Sequence, residues 1–180
     1  MPSPLGHALV AASIAVAALP PQTRNRRLKI VAAAGIACVP DLDFLPVLLA
    51  DVSRQTHRGC THSIGFALLS GLVLFALLGP RRRRESLVLA LSLLTHGLLD
   101  AATTIRGNGI ELLWPFSEER WRLGWFELRG LSLDGSLSQV VSNTIAVFVT
   151  EATLCLPLLL LAGYFHYSQR RFGTSLSAKI

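Results

Sequence analysis

Five apolar stretches alternate with short polar connections along the chain. They cover residues 5–20, 28–50, 62–79, 86–105 and 140–165. A membrane-spanning helix is identified by a run of about 18 apolar residues, and the first stretch is marginal by this guide. The pattern predicts an all-α protein, a polytopic integral membrane helical bundle with about five transmembrane helices.

The second apolar stretch is interrupted by proline. Pro40 opens the tetrapeptide Pro-Asp-Leu-Asp, and Pro46 follows shortly after it. Proline lacks a backbone N–H and clashes with the preceding turn, so it ends or bends a helix. The sequence therefore predicts a broken second helix. An extended chain after Pro40 would turn Asp41 and Asp43 to the same side.

Composition supports a membrane protein with one domain. Hydrophobic residues make up 51% of the chain and charged residues 16%, and the mean hydropathy is +0.49. These values argue against a disordered chain and against an ordinary soluble domain. Five spans of about 20 residues each would use most of the sequence, which predicts a single membrane-embedded helical domain over residues 1–180. The cysteines, Cys38, Cys60 and Cys155, form no Cys-x-x-Cys pair, so no thiolate zinc site is indicated.

Basic residues cluster in the short connections. The net charge is +6, and the clusters lie at 24–29, at 81–84 and in the tail at 170–179. Five crossings place all three clusters on one side, which the positive-inside rule assigns to the cytoplasm. We therefore expect a protein of the plasma (inner) membrane with its N-terminus outside and its C-terminus cytoplasmic. The four-arginine run is interpreted as a topology anchor, and no nucleic-acid partner is expected.

The long connection at 106–139 has the composition of a membrane–water interface. Acidic and basic residues are interleaved in it with aromatic residues, which are Trp114, Phe116, Trp121, Trp125 and Phe126. Aromatic rings with a polar edge concentrate at the headgroup level of a bilayer. The sequence predicts an extracytoplasmic interfacial loop.

Ionisable residues interrupt the apolar stretches. Such groups are costly in a membrane unless they are paired, hydrated or bound to a metal. In the predicted topology Asp41 and Asp100 lie at the same depth, about 20 Å along their helices, and His7, His57 and His62 reach the same outer side. Singly, each residue is explained as an interhelical hydrogen-bond partner. Together, a group of five predicts a metal site: Asp41, His57, His62, His96 and Asp100.

The residue types indicate the chemistry of this site. Imidazole and carboxylate without thiolate is a ligand set for zinc, and also for manganese or iron, and it suits a hydrolytic site. His96 and Asp100 lie four residues apart and share one helix face. Glu151, about 16 Å along a helix from Val140, is placed deeper than Asp41 and Asp100, and its role as ligand, second-shell partner or pairing acid stays open. His166 falls on the cytoplasmic side and is excluded.

Several motifs carry a family resemblance when they are taken in order. They are Gly6-His7, Pro-Asp-Leu-Asp at 40–43, His-Arg-Gly-Cys-Thr-His-Ser at 57–63, His-Gly-Leu-Leu-Asp at 96–100 and Trp-Pro-Phe-Ser at 114–117. Over residues 6 to about 134 the chain resembles the YdjM-type family of membrane-bound metal-dependent hydrolases. That family is similar in ligand pattern to the zinc-dependent phospholipase C and single-strand nuclease superfamily, all-helical proteins that hydrolyse phosphate esters at a multinuclear zinc site.

The resemblance implies roles for individual residues. The implied metal ligands are His7, Asp41, His57, His62, His96 and Asp100. Asp43 is implied as a ligand or as an orienting acid, and Thr103, Thr104, Gly109 and the segment 115–117, with Ser117 as a substrate contact, would shape the rim. Asp134 stands where some relatives carry Asp-Pro, and it is a candidate ligand or second-shell residue.

The leading hypothesis is a membrane-bound metal-dependent hydrolase of phosphate esters that uses metal-activated water. Asp41 or Asp100 would accept the proton of the water. Arg58 offers a planar donor fork for phosphate, and Arg120 or Arg122 would clamp the same group. A site on the outer side suggests a lipid, lipid-linked or envelope phosphate ester as substrate. The number of metal ions and the oligomeric state are left open.

A second hypothesis comes from a different class of protein. The same residues would serve a non-enzymatic membrane protein that binds or transports a metal ion or a proton. Five helices without a detectable repeat make a translocation path hard to draw, and Glu151 is the main residue in favour of one. A structural metal would leave no open coordination position.

Overall fold

The computed structural model describes residues 2–50, 57–104, 108–125, 127, 128, 130–132 and 135–177. In these residues the regular structure is helical, apart from one isolated antiparallel bridge between Ile110 and Trp121. The α-helices are α1 (Pro4–Ala18), α2 (Arg26–Ile36), α3 (Leu45–Leu49), α4 (Ile64–Leu78), α5 (Arg83–Thr103) and α6 (Leu137–Ser177). Short 3₁₀ turns lie at Pro40–Phe44, Cys60–His62 and Pro80–Arg82. The predicted all-α architecture is confirmed.

Three helical segments among the described residues are long and apolar enough to cross a membrane. They are Arg26–Val47, Pro80–Thr103 and Leu137–Ser168. α1 and α4 are shorter apolar helices. Large apolar side chains point away from the bundle, as Leu77, which is 77% exposed, illustrates. Since such surface is stable in lipid and not in water, the protein is a membrane helical bundle, as predicted.

The second apolar stretch is broken at the predicted place, but its local structure differs from the expectation. α2 ends at Ile36, and the chain forms a 3₁₀ turn at Pro40–Phe44 before the short helix α3. The prediction of an extended chain after Pro40 was wrong, because residues Pro40–Phe44 form a helical turn. Pro40 occupies the first position of the turn, where a missing N–H costs nothing and the fixed φ angle suits a helical turn. Asp41 and Asp43 consequently face opposite ring nitrogens of His62, Nε2 and Nδ1 respectively.

Local sequence signals set the ends of the helices next to the site. Ser3 is the N-cap of α1 and accepts a hydrogen bond from the Leu5 N–H, with Pro4 following at the first helical position. Ser63 caps α4 by accepting from the Phe66 N–H at 2.9 Å. Such caps satisfy N–H groups that have no partner inside the helix. They fix the starting points of the two helices that begin nearest to His7 and His62.

α1 and α5 form the centre of the bundle. α1 packs against α6, α2 and α5, and α4 packs against α5. Small residues lie at these contacts, and Ala15 and Ala33 have no exposed surface. Because lipid does not drive helices together as water does, close approach between small side chains has to supply the packing energy.

Gly97 illustrates how close this approach is. A Cβ at Gly97 would collide with the carbonyl oxygen of His62, whereas a Cβ at Gly35 in α2 would meet no atom within 4 Å. We expect Gly97→Ala to destabilise the protein by about 1–3 kcal/mol, the usual cost of overpacking. Gly35→Ala should be neutral or stabilising by about 0.5–1 kcal/mol. Thermal unfolding in detergent checks both variants, and equal melting temperatures would contradict the close contact.

Candidate metal centre

Imidazole and carboxylate groups from four segments meet at one end of the bundle. α1 contributes His7, and the 3₁₀ turn after α2 contributes Asp41. His62 comes from the turn before α4, and His96 and Asp100 lie in the last two turns of α5. The three histidines and Asp100 are buried, while the side chain of Asp41 is 21% exposed. We call these five residues the His/Asp cluster.

The facing atoms of the cluster lie at similar separations. His62 Nε2 is 3.7 Å from Asp41 Oδ1 and 3.5 Å from Asp100 Oδ2. His96 Nε2 is 3.5 Å from Asp41 Oδ1 and 3.8 Å from Asp100 Oδ2. His7 Nε2 lies 3.4 Å from Asp100 Oδ1, and its ring stacks on that of His96. Within the described residues, the Nε2 atoms of these histidines and both oxygens of Asp100 are buried without a hydrogen-bond partner.

These separations fit a shared metal ion. Buried polar atoms without partners are costly, and most of the distances exceed those of ordinary hydrogen bonds. Two ligands that lie about 2.1 Å from a tetrahedral zinc ion are about 3.4 Å apart, which is close to the observed values. One ligand atom from each of Asp41, His62, His96 and Asp100 lies within 4.8 Å of the others. The residues present therefore fit a zinc, manganese or iron ion.

Partners on the far side of the rings orient two of the imidazoles. His96 Nδ1 donates a hydrogen bond to the carbonyl oxygen of Ala37 at 2.7 Å. This bond places the ring proton on Nδ1, so Nε2 keeps a lone pair towards the cluster. His62 Nδ1 lies 3.0 Å from Thr61 Oγ1 and 3.4 Å from Asp43 Oδ2. Both rings thus have the orientation that is typical of metal-binding histidines.

Asp43 organises the segment that carries His57 and His62. Its Oδ2 accepts hydrogen bonds from the Arg58 N–H at 3.0 Å and from Thr61 Oγ1 at 2.7 Å, and its Oδ1 pairs with His57 Nδ1. Asp43, His57 and His62 also form a second group that could hold a metal ion. Because both oxygens of Asp43 already have partners, the geometry favours an orienting role for this acid over a ligand role.

The turn between His57 and His62 contains a residue in an unusual conformation. Arg58 has a φ angle of 67°, in the left-handed region that disfavours residues other than glycine. Its N–H bonds to Asp43, and its carbonyl oxygen accepts from the Glu111 N–H at 3.2 Å. These two bonds hold the conformation, and the two imidazole rings end 5.6 Å apart.

Glu151 contacts the start of α1 and not the facing atoms of the cluster. Its carboxylate accepts hydrogen bonds from the N–H and the hydroxyl of Ser3 and, at 3.0 Å, from the Gly6 N–H. Gly6 directly precedes His7, and a Cβ there would lie 3.1 Å from Glu151 Oε2. A carboxylate from α6 thereby satisfies the N-terminal N–H groups of α1 and fixes the turn that carries His7.

The position of Glu151 is defined by its contacts with the start of α1. Counted from Val140, it was predicted to lie deeper than Asp41 and Asp100; in the structure it contacts Ser3 and Gly6 at the start of α1. α6 has 41 residues, so it is about 60 Å long, roughly twice the thickness of a bilayer core. Glu151 itself lies beside the residue that precedes His7.

An open cleft of about 670 Å³ borders the cluster. Asp41, His57, Arg58 and Arg120 are among its lining residues. Arg120 is held by Glu111 at 2.8 Å. Arg58 Nε is buried and has no hydrogen-bond partner in the described part of the chain. The cleft thus combines access to one carboxylate of the cluster with two guanidinium groups.

Other predicted site residues lie elsewhere. Among the described residues, Ser117 and Arg122 do not line this cleft. The Ser117 hydroxyl accepts from the Glu119 N–H at 3.1 Å, and the Arg122 side chain lies beside Gly109, which does line the cleft. Asp134 lies outside the described residues.

Three supporting residues were missed in the sequence. Ser3 holds Glu151, Thr61 donates to Asp43, and Glu111 anchors Arg120. The Ser-Pro pair at the start of an apolar helix is an N-cap signal that could have identified Ser3. Glu111 carries no such signal, because its partner is brought to it only by the folding of the loop.

The fold and the cluster define a class of protein, a helical membrane protein with a buried His/Asp group beside an open cleft. The chain matches the YdjM inner membrane protein family over residues 1–172 and belongs to this family. It is similar to inner membrane protein YbcI of Escherichia coli strain K12, with 39% identity over 97 residues, which are 50% of this chain and 55% of that protein. The chain therefore spans about half the length of this curated relative. No solved structure matches the chain.

The contacts of Glu151 predict a graded effect of its substitution. Glu151→Ala leaves the buried N–H groups of Ser3 and Gly6 without an acceptor, at about 1–3 kcal/mol each. Glu151→Gln keeps one carbonyl oxygen and should lose less. Thr150→Ala is the matched control, since Thr150 is exposed and its hydroxyl bonds only to the Ala146 carbonyl within α6. Thermal unfolding in detergent measures all three, and an unchanged Glu151→Ala protein would contradict this role.

Proposed function

We propose that this protein is a membrane-bound metal-dependent hydrolase that acts on phosphate esters. One observation carries the proposal. The ligand atoms of four residues lie within 4.8 Å of one another beside an open cleft, and these residues are Asp41, His62, His96 and Asp100. A ligand set of imidazole and carboxylate next to an open cavity is typical of catalytic metal sites, which keep one coordination position for water or substrate.

The two carboxylates of the cluster suit different tasks. A metal bound here would lower the pKa of a bound water and polarise an oxygen of the substrate. Asp100 has no exposed surface, so its oxygens serve as buried ligands. Asp41 lines the cleft and is partly exposed, which makes it the better placed residue to accept a proton from water.

The cationic residues of the cleft support a phosphate ester as substrate. Arg58 and Arg120 both line the cavity that Asp41 borders. A guanidinium group binds phosphate oxygens through a planar pair of N–H donors and stabilises negative charge that develops during the reaction. Arg58 is a better candidate phosphate ligand than Arg120, because its buried Nε has no hydrogen-bond partner in the described residues. The outward apolar surface of the bundle favours a lipid or lipid-linked substrate that reaches the cleft from the bilayer.

The alternative, a carrier of metal ions or protons, has less support. It depended on Glu151 as an extension of the polar path towards the cytoplasm. The carboxylate of Glu151 accepts hydrogen bonds from Ser3 and Gly6 at the start of α1. It therefore continues no path across the bundle.

Metal content and turnover, measured together, test the proposal. The detergent-solubilised protein should contain bound zinc, manganese or iron by mass spectrometry and hydrolyse a chromogenic phosphodiester or phosphatidylglycerol. His62→Ala and Asp100→Asn should lose both metal and turnover. Arg58→Gln should keep the metal and lose turnover by about 10²-fold, the effect of removing one stabilising donor. His166→Ala and Arg27→Gln, near the other end of the bundle, are the controls.

Each outcome separates the hypotheses. Metal that is retained without turnover of either substrate would contradict the hydrolase and favour a carrier or a structural metal. A folded protein that contains no metal and is unaffected by His62→Ala would exclude a metal centre altogether.

We further propose that the cluster faces the outer side of the inner membrane. Cys60 is exposed and lies in the turn that carries His62. In a Cys38→Ser/Cys155→Ser background, an impermeant maleimide should label Cys60 on spheroplasts without permeabilisation. Arg27→Cys in the same background with Cys60→Ser should be labelled only after the membrane is opened. The reverse pattern would place the cluster in the cytoplasm.

A further inference from the structure

A second cleft lies at the other end of the bundle. It has a volume of about 720 Å³ and is formed by the turn between α1 and α2 and the turn between α4 and α5. Its cationic lining residues are Arg24, Lys29, Arg81, Arg82, Arg83 and Arg84. We call this cavity the basic cleft.

The positive charge of the basic cleft is largely uncompensated. Lys29 pairs with Glu85 at 2.5 Å, and Glu85 also lines the cavity. The sequence contains no acid between residues 15 and 40, and Glu85 is the only acid between residues 64 and 95. Arg24 and the arginines at 81–84 are exposed, and none forms an ion pair with a described carboxylate. Five guanidinium groups around one cavity repel one another unless an anion binds between them.

The backbone adds to this potential. α2 and α5 both begin at the basic cleft, and their N-cap residues, Asn25 and Arg82, form no side-chain cap. The first-turn N–H groups and the helix dipoles therefore contribute positive potential. The ion pair between Lys29 and Glu85 joins the two first turns and keeps the two helix starts side by side.

The surroundings favour a lipid as the source of the anion. The candidate spans Arg26–Val47 and Pro80–Thr103 both begin at the cleft, which puts it at the level of lipid headgroups. Leu28 lines the cleft and is 66% exposed, and Leu87, one turn into α5, is 58% exposed. Cationic groups above an apolar helix surface match a phosphate above its acyl chains.

We infer that the basic cleft binds the phosphate group of an anionic membrane phospholipid, at the end of the bundle opposite the His/Asp cluster. Arginine suits this ligand because its planar N–H donors engage two phosphate oxygens at once. A topology signal needs only positively charged connections. A topology signal does not require two connections to form a common cavity, as they do here.

Native mass spectrometry of the full-length protein in detergent tests the inference. Separate titrations use phosphatidylglycerol, phosphatidylcholine and inorganic phosphate. Phosphatidylglycerol should bind tighter than phosphatidylcholine. Arg24→Gln, before α2, and Arg83→Gln, at the start of α5, should each weaken its binding about fivefold. Arg27→Gln removes the same charge at the same end of the bundle, but Arg27 does not line the cleft. This control should change binding less than about twofold.

Three results would overturn the inference. Equal weakening by Arg27→Gln would indicate only diffuse attraction to the charged surface. Unchanged binding in both cleft variants would exclude the cavity as the binding site. Displacement of phosphatidylglycerol by an equal concentration of inorganic phosphate would assign the cleft to a soluble phosphate. Circular dichroism verifies that each variant folds, and Arg81→Gln replaces any variant that does not.

Discussion

A carboxylate without exposed surface, Asp100, lies among three imidazole rings inside an apolar bundle, and its neighbours are arranged around this constraint. A buried charge without compensation costs several kcal/mol or more. Both oxygens of Asp100 face ring nitrogens of His7, His62 and His96, and within the described residues these nitrogens form no hydrogen bond. A cation bound by Asp41, His62, His96 and Asp100 would give partners to buried atoms that hydrogen bonds at these distances do not satisfy.

The constraint extends outward through a layer of supporting contacts. Ala37 fixes the ring of His96, Asp43 fixes the segment that carries His57 and His62, and Glu151 fixes the start of α1. Each of these contacts joins two different helices or turns. These contacts therefore couple the geometry of the cluster to the packing of the bundle. A change in helix packing should alter the positions of the cluster side chains.

The two ends of the bundle differ in the sign of their charge and in the burial of their charged groups. At the cluster end, acids and histidines are buried and require close partners. At the other end, arginines remain exposed around a cavity. This separation follows the order of the segments, because helices that run in alternate directions bring every second connection to the same face.

Much of the fold was determined by the sequence alone. The lengths of the apolar stretches predicted the helices and the break at Pro40, because hydrophobic length and proline act locally. The convergence of the acids with four histidines, His7, His57, His62 and His96, at one end also followed from counting along alternating segments. The sequence counted His57 among the ligands of the main site, whereas in the structure its Nδ1 pairs with Asp43. The burial of His96 and Asp100 could be expected, since ionisable residues within apolar segments face the interior of a bundle.

Only the tertiary structure decided which partner each polar group has. It separated Asp41, which faces His62 and His96, from Asp43, which organises the segment at 57–61. It also placed Glu151 against Ser3 and Gly6, and left Arg122 outside the cleft that Arg58 and Arg120 line. The physical reason is that hydrophobicity sets the depth of a residue along its own helix, whereas its contacts depend on the rotation and the close packing of neighbouring helices, which no local pattern records.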